Sequence, residues 1–242
     1  GNAKTVIAGD RPAGGLGGAA FGAATTGLAL LWAARVERLE AADVGLDGTQ
    51  SGSDHLRAAA IGAAAALTCA GAVATMALGG AERLGLRRHA PAIPAALLEM
   101  REAEVLARVL VFLPLDTVVP EEVAFRGVLH GALRRRVRTP AAVALSAVPF
   151  ALWHTTLALT ETPTQGATQL ALKFAGYYLG GVGFGLLRGA TGSLAAPLAA
   201  HWTLNATLML LLHPLARRVT GRGRERAPAR GRARPLPPRS AR

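Results

Sequence analysis

Apolar residues run along this chain in long stretches that no charge interrupts. No Asp, Glu, Lys or Arg lies between Arg11 and Arg35, between Arg57 and Glu82, between Arg138 and Glu161, or between Arg188 and Arg217. Each gap holds a run of roughly 20 residues, the length an α-helix needs to cross about 30 Å of hydrocarbon. Helices of a soluble bundle would show polar faces at helical period, and these gaps show none. The pattern predicts membrane spans over about 13–34, 58–80, 140–159, 167–187 and 193–213, with Lys173 near one end of its span, where it can snorkel.

A further segment lies between the second and third of these runs. VLVFLPLDTVV (109–119) is short and apolar, contains Pro114 and Asp116, and stops at Pro120. Proline suits the first turn of a helix, where its missing N–H does no harm. Glu121 and Glu122 then fall in that first turn, where the helix dipole favours anions. This segment, third in chain order, is expected to be kinked or broken near Pro114 to Pro120 and to run on to RRRVR (134–138). The fold class that follows is all-α: a polytopic membrane helix bundle of about six transmembrane segments with a broken third segment. The domain organisation reads as an N-terminal extension (1–12), two N-terminal spans and a connector (13–103), a helical core carrying the chemistry (104–213), and an Arg/Pro-rich disordered tail (214–242).

Composition supports a membrane setting. Mean hydropathy is +0.31 and only 17% of residues are charged, against about a quarter in soluble domains. The net charge of +12 misleads, because ten of the 27 basic residues are arginines from Arg217 onward. That stretch is rich in Pro, Gly and Ala and has no aromatic residue, the composition of a solvated, disordered extension. With no folded nucleic-acid module elsewhere, no specific nucleic-acid partner is expected. The single cysteine, Cys69, excludes an internal disulfide and a multi-cysteine metal site, and reads as a packing residue. RRRVR and Arg188 are separated by two spans, so both can face the cytoplasm. The Arg-rich tail, three spans from RRRVR, votes the other way.

Ionisable groups within membrane segments are functional candidates by default. Asp116, Glu121, Glu122 and Arg126 belong to the third segment, His154 to the fourth, His201 and Asn205 to the sixth. Glu122 and Arg126 are four residues apart, as are Phe150 and His154, and His201 and Asn205; each pair shares a helix face. Two carboxylates, two histidines and an amide on three segments form a hydrolytic inventory. Adjacent carboxylates in low dielectric compete for ionisation, and one can act as general base towards water. A histidine can orient that water or protonate a leaving amine. A second histidine and an asparagine can hold a developing oxyanion. The alternative is a zinc site drawn from Glu121, His154 and His201, although no HExxH occurs.

The ordered set Glu121-Glu122-x-x-x-Arg126, Phe150-x-x-x-His154 and His201-x-x-x-Asn205, with the extension Phe125-Arg126-Gly127-Val128-Leu129, resembles the CPBP family of intramembrane proteases, also called the type II CAAX prenyl protease or Abi family. The resemblance covers about 100–213; the first two spans fit the family's size but carry no signature, and the tail is outside the pattern. It implies a membrane endopeptidase with Glu121 as the base activating water and His154 assisting. Glu122 would support the site and pair with Arg126, Phe150 would be a supporting residue, and His201 with Asn205 would form the oxyanion hole. The family has been classed with metalloproteases; glutamate-dependent catalysis with no required cofactor is the preferred reading and zinc the alternative. Eukaryotic members cleave the last three residues from prenylated CAAX proteins, whereas prokaryotic ones are linked to bacteriocin immunity, peptide maturation and regulation. The Ala- and Arg-heavy composition points to a GC-rich bacterial genome. The expected partners are therefore the lipid bilayer of a bacterial plasma membrane and a membrane-associated protein or peptide substrate. A non-catalytic immunity or scaffold protein that keeps the fold is the second reading, and a proton-coupled transporter the third.

Overall fold

The computed structural model describes residues 15–75, 100–161 and 166–226. The N-terminal extension 1–12, most of the connector before residue 100 and the tail after Arg226 lie outside the described residues. Within them all regular structure is helical. Helix α1 spans Leu16–Trp32 and closes in a π turn, Ala33–Glu37. A short α2 covers Ala41–Val44, and α3 Gly52–Thr75. Then come α4 (102–134), α5 (Thr139–Glu161), α6 (Ala167–Thr191) and α7 (Ala195–Arg226). Among the described residues five helices are long and apolar enough to cross a membrane: Leu16–Glu37, Gly52–Val73, Thr139–Thr160, Ala167–Thr191 and Ala195–Pro214. The remaining segment, α4, third in chain order, carries buried Asp116, Glu121, Glu122 and Arg126. Leu28, Leu67, Leu110, Leu152, Leu179 and Leu210 face outward, an arrangement that water would disfavour and lipid accepts. The protein is an integral membrane helix bundle.

The interruption anticipated in the third segment lies in the hydrogen-bond ladder, while the helical backbone is continuous. Along α4, π turns occupy Arg108–Phe112, Pro114–Val118 and Val123–Leu129, with a single α turn, Val119–Glu122, between the last two. Proline has no N–H to give, and its ring collides with the carbonyl four residues earlier; widening the turn relieves the collision. The backbone around Pro120 is met closely by α1. Gly22 of α1 lies against the Leu115 carbonyl oxygen so tightly that a Cβ there would overlap it, and Gly18, one turn earlier, faces the Asp116 carboxylate. A Gly-x-x-x-Gly face of this kind lets two helix backbones approach within a membrane.

Small residues seat the other helices too. On α3, Gly62 touches the carbonyl of Ala196 on α7, and on α6, Gly181 and Gly185 receive Ala147 and Val143 of α5. One end of the bundle is knitted by loops. Gly45, at φ 81°, accepts a hydrogen bond from the Leu194 N–H at 2.9 Å. Arg188 donates to the carbonyls of Ala42 and Asp43 at 3.2 and 2.9 Å. Arg135 pairs with Asp43 at 2.5 Å and Arg136 with Glu37 at 2.9 Å.

Two expectations change. The sequence points to a disordered tail from 214, yet the backbone of α7 is helical to Arg226. Leu, Ala and Arg are good helix formers, and extending a helix is easier than starting one. Cys69, expected as a packing residue, is exposed on α3.

The glycine contacts yield a stability test. Gly62→Val should destabilise the bundle by about 1–3 kcal/mol through overpacking against the Ala196 backbone. At Gly27 an added Cβ would meet nothing within 4 Å, so alanine should be tolerated there within about 0.5 kcal/mol. Unfolding curves in mixed micelles check both.

Candidate active site

The short α turn Val119–Glu122, set between two π turns, carries both carboxylates inward: Glu121 is 6% exposed and Glu122 0%. Successive residues on a helix point about 100° apart, so the two face different neighbours.

Glu122 turns towards α7. Its Oε1 accepts from Arg126 Nη1 at 2.9 Å and lies 2.8 Å from His201 Nδ1. Arg126, itself 1% exposed, sits in an aromatic cage, its guanidinium carbon 3.9 Å from the Phe150 ring centroid, 5.0 Å from Phe184 and 6.0 Å from Phe125. Arg126 Nη2 donates to the Gly181 carbonyl at 3.4 Å. Phe184 also stacks on the His201 ring, centroids 5.1 Å apart. The cation is held by ring faces on two sides and a carboxylate on the third, which compensates the loss of its water.

Glu121 turns towards α5. Its Oε1 accepts from Trp153 Nε1 at 3.2 Å. Its Oε2 is buried and accepts no hydrogen bond; it lies 3.4 Å from His154 Nε2 and 4.0 Å from His201 Nε2. His154 Nδ1 stands 3.0 Å from the Phe150 carbonyl, which can only accept, so Nδ1 carries a hydrogen and Nε2 is the ring atom turned to Glu121. Likewise the carboxylate of Glu122 places a hydrogen on His201 Nδ1. The His154 ring packs between Phe150 and Tyr177, at 4.3 and 5.0 Å.

The structure therefore brings together Glu121, Glu122, Arg126, Phe150, His154 and His201. Asn205 follows His201 by one turn on the same face of α7 and is half-buried. Asp116 lies apart from them: it pairs with Arg108, accepts from Thr117 Oγ1 at 2.6 Å and faces Gly18. Trp153 and Phe184 are not among the residues that the sequence singles out. Trp153 could have been found as the neighbour of a candidate histidine with a donor-only side chain. Phe184 carries no signal beyond its place between Gly181 and Gly185.

Zinc bound by Glu121, His154 and His201 would need its ligands about 3.3–3.4 Å apart, the separation set by bonds of about 2.0–2.1 Å in a tetrahedron. The Glu121–His154 pair meets that distance and the Glu121–His201 pair exceeds it. Among the described residues no three His, Cys, Asp or Glu side chains group closely enough to hold a metal ion.

Residues 103–207 match the family model described as type II CAAX prenyl endopeptidase Rce1-like. No curated protein and no solved structure matches the chain.

Arg126→Met should leave the Glu122 charge with His201 alone and cost about 3–5 kcal/mol of stability. The double variant Glu122→Gln/Arg126→Met should lose less than Arg126→Met alone, because no lone charge stays buried. A double-mutant cycle of unfolding free energies checks the pair.

Proposed function

We propose, from the premise that the chain belongs over residues 103–207 to the Rce1-like family of type II CAAX prenyl endopeptidases, that it is an intramembrane endopeptidase in which Glu121 activates water. The observation that carries this reading is the buried Glu121 Oε2, which accepts no hydrogen bond and is faced by His154 Nε2 at 3.4 Å. With Glu121 ionised and the His154 ring neutral both atoms accept, and a donor with two hydrogens satisfies them. A water molecule giving one hydrogen to each keeps a lone pair free for a carbonyl carbon. As the C–O bond forms, Glu121 takes the water's proton. When the C–N bond breaks, that proton passes to the leaving amine from Glu121 or His154.

His201 and Asn205 are the oxyanion donors in this scheme. His201 Nδ1 is engaged with Glu122, which leaves Nε2, 4.0 Å from Glu121 Oε2, as the atom turned towards the reacting centre. The reaction as written uses no resident metal. The substrate is a peptide bond in a membrane-associated protein or peptide of a bacterial plasma membrane, where a prenylated CAAX terminus is not expected.

Purified protein in detergent, wild type beside Glu121→Ala, is incubated with a membrane-derived peptide library and read by mass spectrometry, with a chelator arm in parallel. Cleavage should disappear in Glu121→Ala and persist in chelator. Loss of cleavage with chelator would instead establish zinc. Asn205→Ala should lower kcat by about 100- to 1000-fold, the cost of one oxyanion donor. Cleavage unaffected by Glu121→Ala would sink the mechanism. No cleavage by the wild type across the library would transfer the reading to a non-catalytic membrane binding protein.

A further inference from the structure

We propose that Trp153 is the positioning residue of the general base, its indole N–H holding Glu121 Oε1 so that Oε2 alone faces the histidines. The inference rests on the reading of Glu121 as base.

The terminal torsion of a glutamate side chain is broad and two-fold. The two oxygens of a carboxylate are therefore interchangeable until something binds one of them. At Glu122, Arg126 and His201 make the selection by converging on Oε1. At Glu121 the donor on Oε1 is Trp153, at 3.2 Å. The arrangement comes from a single turn of α5. Trp153 and His154 are adjacent and so diverge by about 100°; one addresses Oε1 and the other lies opposite Oε2. The helix thus offers a donor and an acceptor to the two oxygens of one carboxylate.

Tryptophan suits the task chemically. Its N–H donates and cannot accept, so it cannot take the proton meant for Glu121. Its hydrogen lies in the ring plane and cannot rotate away as a hydroxyl hydrogen can. Its body is apolar, and at 37% exposure it can face lipid while its polar edge points inward. Trp202 is the contrast within the same protein: its N–H goes to the Val109 carbonyl at 2.9 Å, a bond to backbone that orients no reacting group.

The test separates the hydrogen bond from the bulk of the ring. Trp153 is replaced by benzothienylalanine, which keeps the shape and lacks the N–H, beside Trp153→Phe. Both should lose about tenfold or more in kcat, the scale of a hydrogen bond to a charged group, with KM unchanged. In parallel, Trp153 is left as the sole tryptophan through Trp32→Phe and Trp202→Phe, and its emission is compared with and without Glu121→Gln. Loss of the negative charge at the pyrrole edge should shift emission to the blue. Wild-type kcat in the benzothienylalanine protein, or emission indifferent to Glu121→Gln, overturns the proposal. A wild type that cleaves nothing while the emission shift is present would sink the protease reading and leave the Trp153–Glu121 bond standing.

Discussion

A carboxylate with no exposure at all, inside a bundle built for lipid, can persist only if its charge is answered at bonding distance. Glu122 is in that position, and much of the architecture follows from it. Its Oε1 gathers Arg126 from its own helix and His201 from α7. Arg126 in turn needs the Phe150 and Phe184 rings from α5 and α6. Four helices are thereby held to one buried ion pair. Such a pair is weak evidence for stability, since the desolvation cost offsets the attraction, but it is a strong constraint on arrangement. A helix that slid by a turn would leave a bare charge in a medium with no water to accept it.

The second constraint is backbone. Two prolines six residues apart would ordinarily kink or end a helix, and α4 instead continues through wide turns. These turns set the angular position of the α turn that carries Glu121 and Glu122. Gly18 and Gly22 let α1 lie directly on this irregular surface, against the Leu115 carbonyl and the Asp116 side chain. The first span, which carries no family signature, therefore has a role in supporting the carboxylates.

Much of this was legible in the sequence. Charge-free gaps marked the spans because lipid excludes charge along a full helix length. The i,i+4 pairs Glu122–Arg126, Phe150–His154 and His201–Asn205 pointed to shared faces because helix geometry is local. What could not be read was partner choice across helices. Adjacent Glu121 and Glu122 looked like a competing pair, yet they are turned to different neighbours, one to Trp153 and His154 and the other to Arg126 and His201. The 4.0 Å separation of Glu121 and His201 is a tertiary distance that no spacing encodes. The form of the interruption in α4 was also hidden: proline announces a lost hydrogen bond, while the choice between a break and a wide turn depends on what packs against it.

The link between Glu122 and His201 joins residues 79 positions apart, and it bears on biogenesis. Membrane segments enter the bilayer in the order of synthesis, so α4 arrives with its carboxylates and arginine before α7 exists. The ion pair with Arg126 lies within α4 and can form at once, giving the nascent segment a tolerable charge state on its own. His201 and Asn205 come only with the last span, whose start is fastened by the Leu194–Gly45 bond to a loop made long before. A chain still leaving the ribosome therefore holds Glu122 without its partner from α7, and the full set of buried contacts exists only once synthesis has supplied that helix.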